Sequence, residues 1–173
     1  NITYQISGDN RNQRLDNLQK AVQGQLTSVS IRRLIENQQN EILVLDALKK
    51  SDEEKLKENE INNGIEKIND IGRQIQLLVR YVYHEVTDAY RRLKQSHYEL
   101  SQLWTQFYQG YNSQQTPEIT SIEIRYIETT ERLKEFEDLE IQAAESQTSE
   151  LQSSSKVTDR ITLLIYLITV VLT

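Results

Sequence analysis

The chain has 173 residues and a mass of 20.3 kDa, enough for one domain of ordinary size. Five glycines and one proline supply few turns, so long helices are the regular structure that this composition favours. The lack of cysteine and the presence of only two histidines exclude disulfides, thiolate metal sites and three-histidine sites, and the net charge of −6 argues against nucleic-acid binding.

The first predicted helix begins near Asp9 or Asn10, either of which can cap it. Apolar residues then recur at spacings of three and four and mark one buried face: Leu15, Leu18, Val22, Leu26, Val29, Ile31, Leu34, Ile42, Leu45 and Leu48. The helix ends either near Ser51, which forms a capping-box pattern with Glu54, or at Asn62-Asn63-Gly64. The sequence leaves both breaks open.

The second predicted helix carries a seven-residue repeat. Every seventh residue from Ile61 to Leu103, and from Ile65 to Phe107, is apolar or small. Such a repeat is typical of helices that pack with a left-handed supercoil. Read as one unbroken helix of about 47 residues, it predicts a rod about 70 Å long, at 1.5 Å per residue.

A third row on this stretch widens the predicted buried face. Its members also recur every seven residues, each directly after a seam position: Tyr83, Tyr90, His97, Trp104 and Tyr111. A two-stranded coiled coil does not need so wide a face, so the helix should pack against two or more neighbours. The predicted fold is therefore all-α: an elongated antiparallel bundle of three or four long helices with coiled-coil packing.

The last predicted helix opens at Thr116-Pro117-Glu118 and continues without glycine or proline. It is acidic until the uncharged segment Ile161 to Thr173, ITLLIYLITVVLT. A segment of 13 uncharged and mostly apolar residues is too short to cross a bilayer alone, and it is either a buried core segment or part of a longer membrane helix. We expect residues 1–160 to form the helical-bundle domain and residues 161–173 to start a C-terminal transmembrane helix.

The aromatic row with its interleaved cations is the candidate recognition site. Aromatic walls with a few cations suit a small anionic or aromatic ligand. The predicted ligand-binding residues are Arg80, Tyr83, His84, Tyr90, Arg91, Arg92, His97 and Trp104. The alternative is a wide bundle core with surface arginines, in which the pairs Arg91-Arg92 and Arg32-Arg33 bind Asp88 and Glu36 on their own helices.

The sequence predicts neither catalysis nor a bound cofactor. His84 and Asp88 lie one helical turn apart, but no third or fourth metal ligand is evident. No Ser/His/Asp pattern, glycine-rich phosphate loop or HExxH helix is present in the sequence. We therefore expect a non-enzymatic protein without metal or cofactor.

Two segments carry a resemblance to a known class of proteins. The stretch Leu18 to Leu48, LQKAVQGQLTSVSIRRLIENQQNEILVLDAL, and the end of the chain, SELQSSSKVTDRITLLIYLITVVLT, together resemble the extracytoplasmic helical-bundle sensor domains of bacterial chemoreceptors and sensor histidine kinases. In that family a bundle lies between two membrane helices, and ligand or stress shifts the last helix. The resemblance implies a membrane-associated, extracytoplasmic domain that couples ligand or partner binding to movement of its last helix.

Other classes share parts of this pattern. The acidic helix that runs into an apolar segment is also similar to the cytoplasmic stalk of CorA-type divalent cation channels, and a passive tail-anchored coiled-coil tether, an assembly subunit or a soluble bundle fits as well. The wide seam favours a homo-oligomer, most simply a dimer, or a helical protein partner. The expected partners are thus a membrane, a second helical chain and a small ligand, but no nucleic acid.

Overall fold

The computed structural model describes residues 2–51, 55–151, 165, 167 and 168, but not the side chains of residues 2–10, 84, 150 and 151. These residues form four long helices: α1 (Ile2–Lys50), α2 (Glu58–Leu77), α3 (Thr87–Gly110) and α4 (Ile119–Leu151). Three short 3₁₀ turns, Leu78–Tyr81, His84–Val86 and Tyr111–Ser113, lie between them. The described part of the chain contains no strand, and the predicted all-α class is confirmed.

The four helices form an antiparallel bundle. Neighbouring helices run in opposite directions, as the contacts of α3 with α4 show: Ser96 bonds Thr129 at 2.9 Å, whereas the earlier residue Arg92 pairs with the later residue Glu135. Helices α1 and α3 run parallel on opposite corners. One apolar core cluster draws residues from all four helices, among them Ile31, Ile68, Leu93 and Phe136. The predicted bundle of long helices is therefore confirmed.

The first turn lies at the earlier of the two predicted breaks. Helix α1 ends at Lys50, and the Ser51 hydroxyl donates a 2.8 Å hydrogen bond to the carbonyl of Leu48. Ser51 thus closes α1, and its predicted role as the cap of the next helix is wrong. Helix α2 instead begins where the Glu60 side chain accepts a 2.7 Å hydrogen bond from the backbone N–H of Lys57. Glu54 lies outside the described residues.

Asn62-Asn63-Gly64, the other predicted break, lies inside α2. Gly64 is required there for packing and not for a turn. A Cβ atom at this position would lie only 2.2 Å from Cζ of the buried Tyr108 ring on α3. The glycine lets the two helices approach closely, and its cost in helix propensity, about 1 kcal/mol, is offset by that packing.

The predicted 70 Å rod is wrong, because the chain reverses direction between α2 and α3. The reversal consists of two 3₁₀ turns around Val82, whose backbone is extended (φ −75°, ψ 127°). It contains no glycine or proline, but it is rich in β-branched and aromatic residues, which disfavour helix. Leu78 and Val86 are fully buried at its two ends and hold it on the core.

Helix α1 extends well beyond α2. Its 49 residues span about 73 Å, against about 30 Å for the 20 residues of α2. In this extension Leu18 and Ala21 are fully buried with Ala144 of α4, and Ile168 packs on the same small cluster. Helices α1 and α4 therefore continue together past the four-helix body.

Most of the predicted membrane segment, residues 161–173, lies outside the described residues. Of its described members, Ile165 and Leu167 are exposed and Ile168 is half-buried. Among the described residues, no helix is both long enough and apolar enough to span a bilayer. The transmembrane assignment of residues 161–173 stays a prediction.

Candidate functional site

Two of the predicted ligand-binding residues lie in the core between α1, α2 and α3. Trp104 is fully buried, and its indole N–H donates a 3.0 Å hydrogen bond to Oε1 of Gln39. The His97 ring meets Trp104 edge to face, with ring centroids 6.4 Å apart. Burial lowers the pKa of His97 to about 4, so its imidazole is neutral at pH 7.

Two other members of the predicted site, Tyr83 and Tyr90, contact α4 instead. The Tyr90 ring lies 6.5 Å, centroid to centroid, from the ring of Phe136. The Tyr83 hydroxyl is buried and has no hydrogen-bond partner among the described residues. Burial raises the pKa of Tyr83 well above its ordinary value, and the nearby Glu140 raises it further.

The predicted arginines of α3 lie at the surface. Arg91 pairs with Asp88 at 2.9 Å on its own helix, which is the surface pairing that the alternative interpretation predicted. Arg92 reaches across to α4 and pairs with Glu135 at 2.5 Å, and this hydrogen bond lowers the pKa of Glu135. Both guanidinium groups therefore have carboxylate partners.

The remaining two candidates lie in the reversal. Arg80 is exposed in the first 3₁₀ turn. His84 begins the second turn, and its side chain lies outside the described residues. The structure thus distributes the predicted site over the core, the α4 contact and the surface, and ligand binding by the set as a whole stays a prediction.

A buried polar layer, which the sequence analysis missed, joins α1 to α4 beside the reversal. It consists of the buried Gln25 on α1, the buried Glu137 and Glu140 on α4, and the half-buried Arg32 and Tyr83. The Gln25 side-chain amide donates to the backbone carbonyl of Glu137. Arg32 pairs with the Glu137 carboxylate at 2.5 Å rather than with Glu36, so the predicted local pairing of Arg32 is replaced by one between helices.

Glu140 is the most unusual member of this layer. It is 0% exposed, and neither carboxylate oxygen has a hydrogen-bond partner within the part of the chain that the structure describes. Its neighbour on α1 is Gly24, where a Cβ atom would lie 3.0 Å from Oε2 of Glu140. Burial raises the pKa of Glu140 to about 8, so most of the carboxyl is protonated at pH 7.

A signal for this layer was present in the sequence. The buried face of α4 follows the spacing Ile122, Thr129, Leu133, Phe136, Glu140 and Ala144. Glu140 occupies the position at which the next apolar residue of this row is due, and Gly24 is a glycine in mid-helix. A carboxylate in an otherwise apolar row indicates either an exposed face or a special buried site, and only packing distinguishes the two.

In residues 2–51 and 55–151, as far as their side chains are described, no three histidine, cysteine, aspartate or glutamate residues are grouped so that they could hold a metal ion. No protein-family model, curated protein or solved structure matches this chain. A functional proposal therefore rests on the bundle and on its buried polar layer.

Proposed function

We propose that this protein is a non-enzymatic helical-bundle sensor or signal-transmitting domain, in which binding of a ligand or partner moves α4 relative to α1. The observation that carries the proposal is the buried polar layer between these two helices. A layer with unpaired polar groups stabilises one packing arrangement less than an apolar seam does. The register of α4 is therefore the part of the bundle that a small change in free energy alters most easily.

The chemistry of Glu140 supports this interpretation. A protonated carboxyl is tolerated in the layer, whereas an ionised one is strongly disfavoured there because it lacks a compensating partner among the described residues. Helices repack in discrete steps rather than by gradual deformation, so a change of charge in the layer favours a second arrangement of α4. Attachment of the last helix to a membrane belongs to the same proposal and is supported by the apolar run of residues 161–173. Dimerisation stays a prediction, because the seam residues that favoured it, such as Ile68 and Leu93, are buried within this chain's own bundle.

Contacts between α3 and α4 support a route for the signal. Ser96 bonds Thr129 at 2.9 Å inside the bundle, and Glu99 pairs with Arg125 at 2.9 Å near the surface. Through these two contacts a displacement of α3 acts directly on α4. Its effect is expected at the polar layer, because the α1–α4 contact is least well satisfied there.

The proposal is tested by measuring the distance between α1 and α4 while Glu140 ionises. Nitroxide labels on cysteines placed at the exposed positions Gln19 and Gln142 report this distance, and the native chain contains no cysteine that would interfere. Double electron–electron resonance should give different distance distributions at pH 5.5 and pH 9. A second label pair at Asn62 and Gln109, on α2 and α3, should give the same distribution at both pH values.

The control is the same label pair in the Glu140→Gln protein, in which the α1–α4 distance should no longer depend on pH. The proposed motion of α4 is refuted if the wild-type distance stays constant. It is also refuted if both label pairs change together, because that result indicates general loosening of the bundle. A rigid α4 would leave the passive tether as the better interpretation.

A further inference from the structure

A groove between α2 and α3, on a different side of the bundle from the polar layer, has the properties of a ligand site. Its volume is about 330 Å³, at the small end of the range for ligand pockets. Gly72 opens it: a Cβ atom there would lie 3.7 Å from Cε1 of His97, and the absence of a side chain leaves space beside the imidazole. His97, one of the predicted ligand-binding residues, therefore lines an open groove.

His97 supplies a polar atom without a partner beside this groove. Its side chain is 5% exposed and lines the groove, yet Nε2 has no hydrogen-bond partner in the described residues. The imidazole is neutral at pH 7, and in the tautomer that carries its proton on Nε2 it can donate one hydrogen bond from this nitrogen. A buried polar atom without a partner is costly, and a ligand that accepts its hydrogen bond removes this cost.

The charge of the groove favours an anion. Arg73 and Lys94 line it, and no aspartate or glutamate does, although the chain as a whole has a net charge of −6. Arg73 also pairs with Asp70 at 3.2 Å, but both of these side chains are largely exposed, so this ion pair is weak. A ligand carboxylate can therefore compete with Asp70 for the guanidinium, and it can bind through two parallel hydrogen bonds, the geometry that arginine prefers.

The rest of the lining favours a ligand that also has an apolar part. Ile68 and Ile75 contribute to the groove between the polar residues. We propose that the groove binds a small organic carboxylate, with Arg73 and Lys94 attracting the negative charge, His97 donating one hydrogen bond and the two isoleucines contacting the apolar part. This assignment supplies the ligand class of the sensor proposed above and rests on that proposal for its role. Ser96 adjoins His97 and bonds Thr129 on α4, so a ligand in the groove acts on α4 through this hydrogen bond.

Benzoate is the probe, with its neutral isostere benzamide as the matched ligand control. The imidazole resonances of His97 are followed by NMR at constant ionic strength, and the His84→Gln protein assigns them, because the chain has only two histidines. Benzoate should shift the His97 resonances saturably in the millimolar range. It should also raise the pKa of His97 from about 4, because an anion favours the protonated ring.

Two double variants with the same change of net charge separate a specific site from general attraction. Arg73→Gln/Lys94→Gln should weaken benzoate binding about tenfold, through loss of charge-assisted hydrogen bonds. Arg33→Gln/Lys134→Gln, on exposed faces of α1 and α4, should bind as the wild type does. Circular dichroism confirms that both proteins are folded.

The assignment is overturned by any of four results: no saturable shift with benzoate, an equal shift with benzamide, unchanged binding in Arg73→Gln/Lys94→Gln, or an equal loss in Arg33→Gln/Lys134→Gln. The measurement reports occupancy at His97 and not movement of α4. The ligand site and the proposed signalling function can therefore fail separately.

Discussion

Replacement of Glu140 by glutamine should remove most of the decrease in the free energy of unfolding that occurs as the pH rises. The pKa of Glu140 is about 8 in the folded state, against about 4.3 for glutamate in an unfolded chain. Below about pH 3 the carboxyl is protonated in both states and has almost no effect on the pH dependence. As the pH rises between these two values, the unfolded state releases its proton and the folded state keeps it, so the free energy of unfolding falls.

The size of this effect follows from the two pKa values. Each pH unit in the window removes about 1.4 kcal/mol, so the free energy of unfolding should fall by about 4 kcal/mol between pH 5 and pH 8. The Glu140→Gln side chain is neutral at both pH values and similar in shape. The variant should therefore match the wild type at pH 5, apart from a constant difference, and gain about 4 kcal/mol on it by pH 8.

Urea unfolding, followed by the fluorescence of the single tryptophan, gives the required free energies. Glu145→Gln is the matched control, because Glu145 is exposed on the same helix and its replacement should leave the wild-type pH profile unchanged. Acid-side effects of the buried His97 are common to all three proteins and cancel in the comparison. Parallel loss of stability in the wild type and Glu140→Gln between pH 5 and pH 8 would show that burial of this carboxyl does not have the assigned effect.

Two further predictions concern the packing of α2 on α3. Gly64→Ala should lower the free energy of unfolding by about 1–3 kcal/mol, because its Cβ would overlap the buried Tyr108 ring. Gly72→Ala should leave this free energy unchanged or raise it by up to about 1 kcal/mol, because its Cβ would make only ordinary contacts, and equal effects of the two substitutions in urea unfolding would contradict this. Labels at Asn62 and Gln109 should lie within about 25 Å of each other, because the chain reverses between α2 and α3, and a distance near the 70 Å of a continuous helix would contradict the antiparallel arrangement.

The heptad pattern predicted the buried faces of α2 and α3 well but not their connection. Ile68 and Ile75 on α2 and Leu93 and Leu100 on α3 are all buried positions of the predicted seams. A seven-residue repeat predicts which side of a helix faces its neighbour. The repeat is the same whether that neighbour belongs to another chain or to the same chain after it has folded back. The reversal around Val82 also lacks the glycine or proline that usually announces a turn, so local signals did not reveal it.

The candidate site was predicted in part. The sequence analysis included His97 and Trp104 among its eight candidate residues, and the structure places His97 beside a groove. It did not single out Gly72, Arg73 or Lys94, because a glycine and two cations on adjacent helices have no common pattern along the chain. Their proximity arises only when α2 packs against α3.

By itself the sequence determined the helical class and most of the residues that face the core, because these depend on local propensity and on periodicity, which are properties of neighbouring residues. The tertiary structure alone decided where the chain reverses and that Glu140 is buried as a partly neutral acid against Gly24. Both depend on contacts between residues that are distant in the sequence, such as Gly64 with Tyr108 and Gly24 with Glu140, or on the desolvation that these contacts cause. An α-helical period is the same for a carboxylate that faces water and for one that is buried, and only the neighbouring helix distinguishes them.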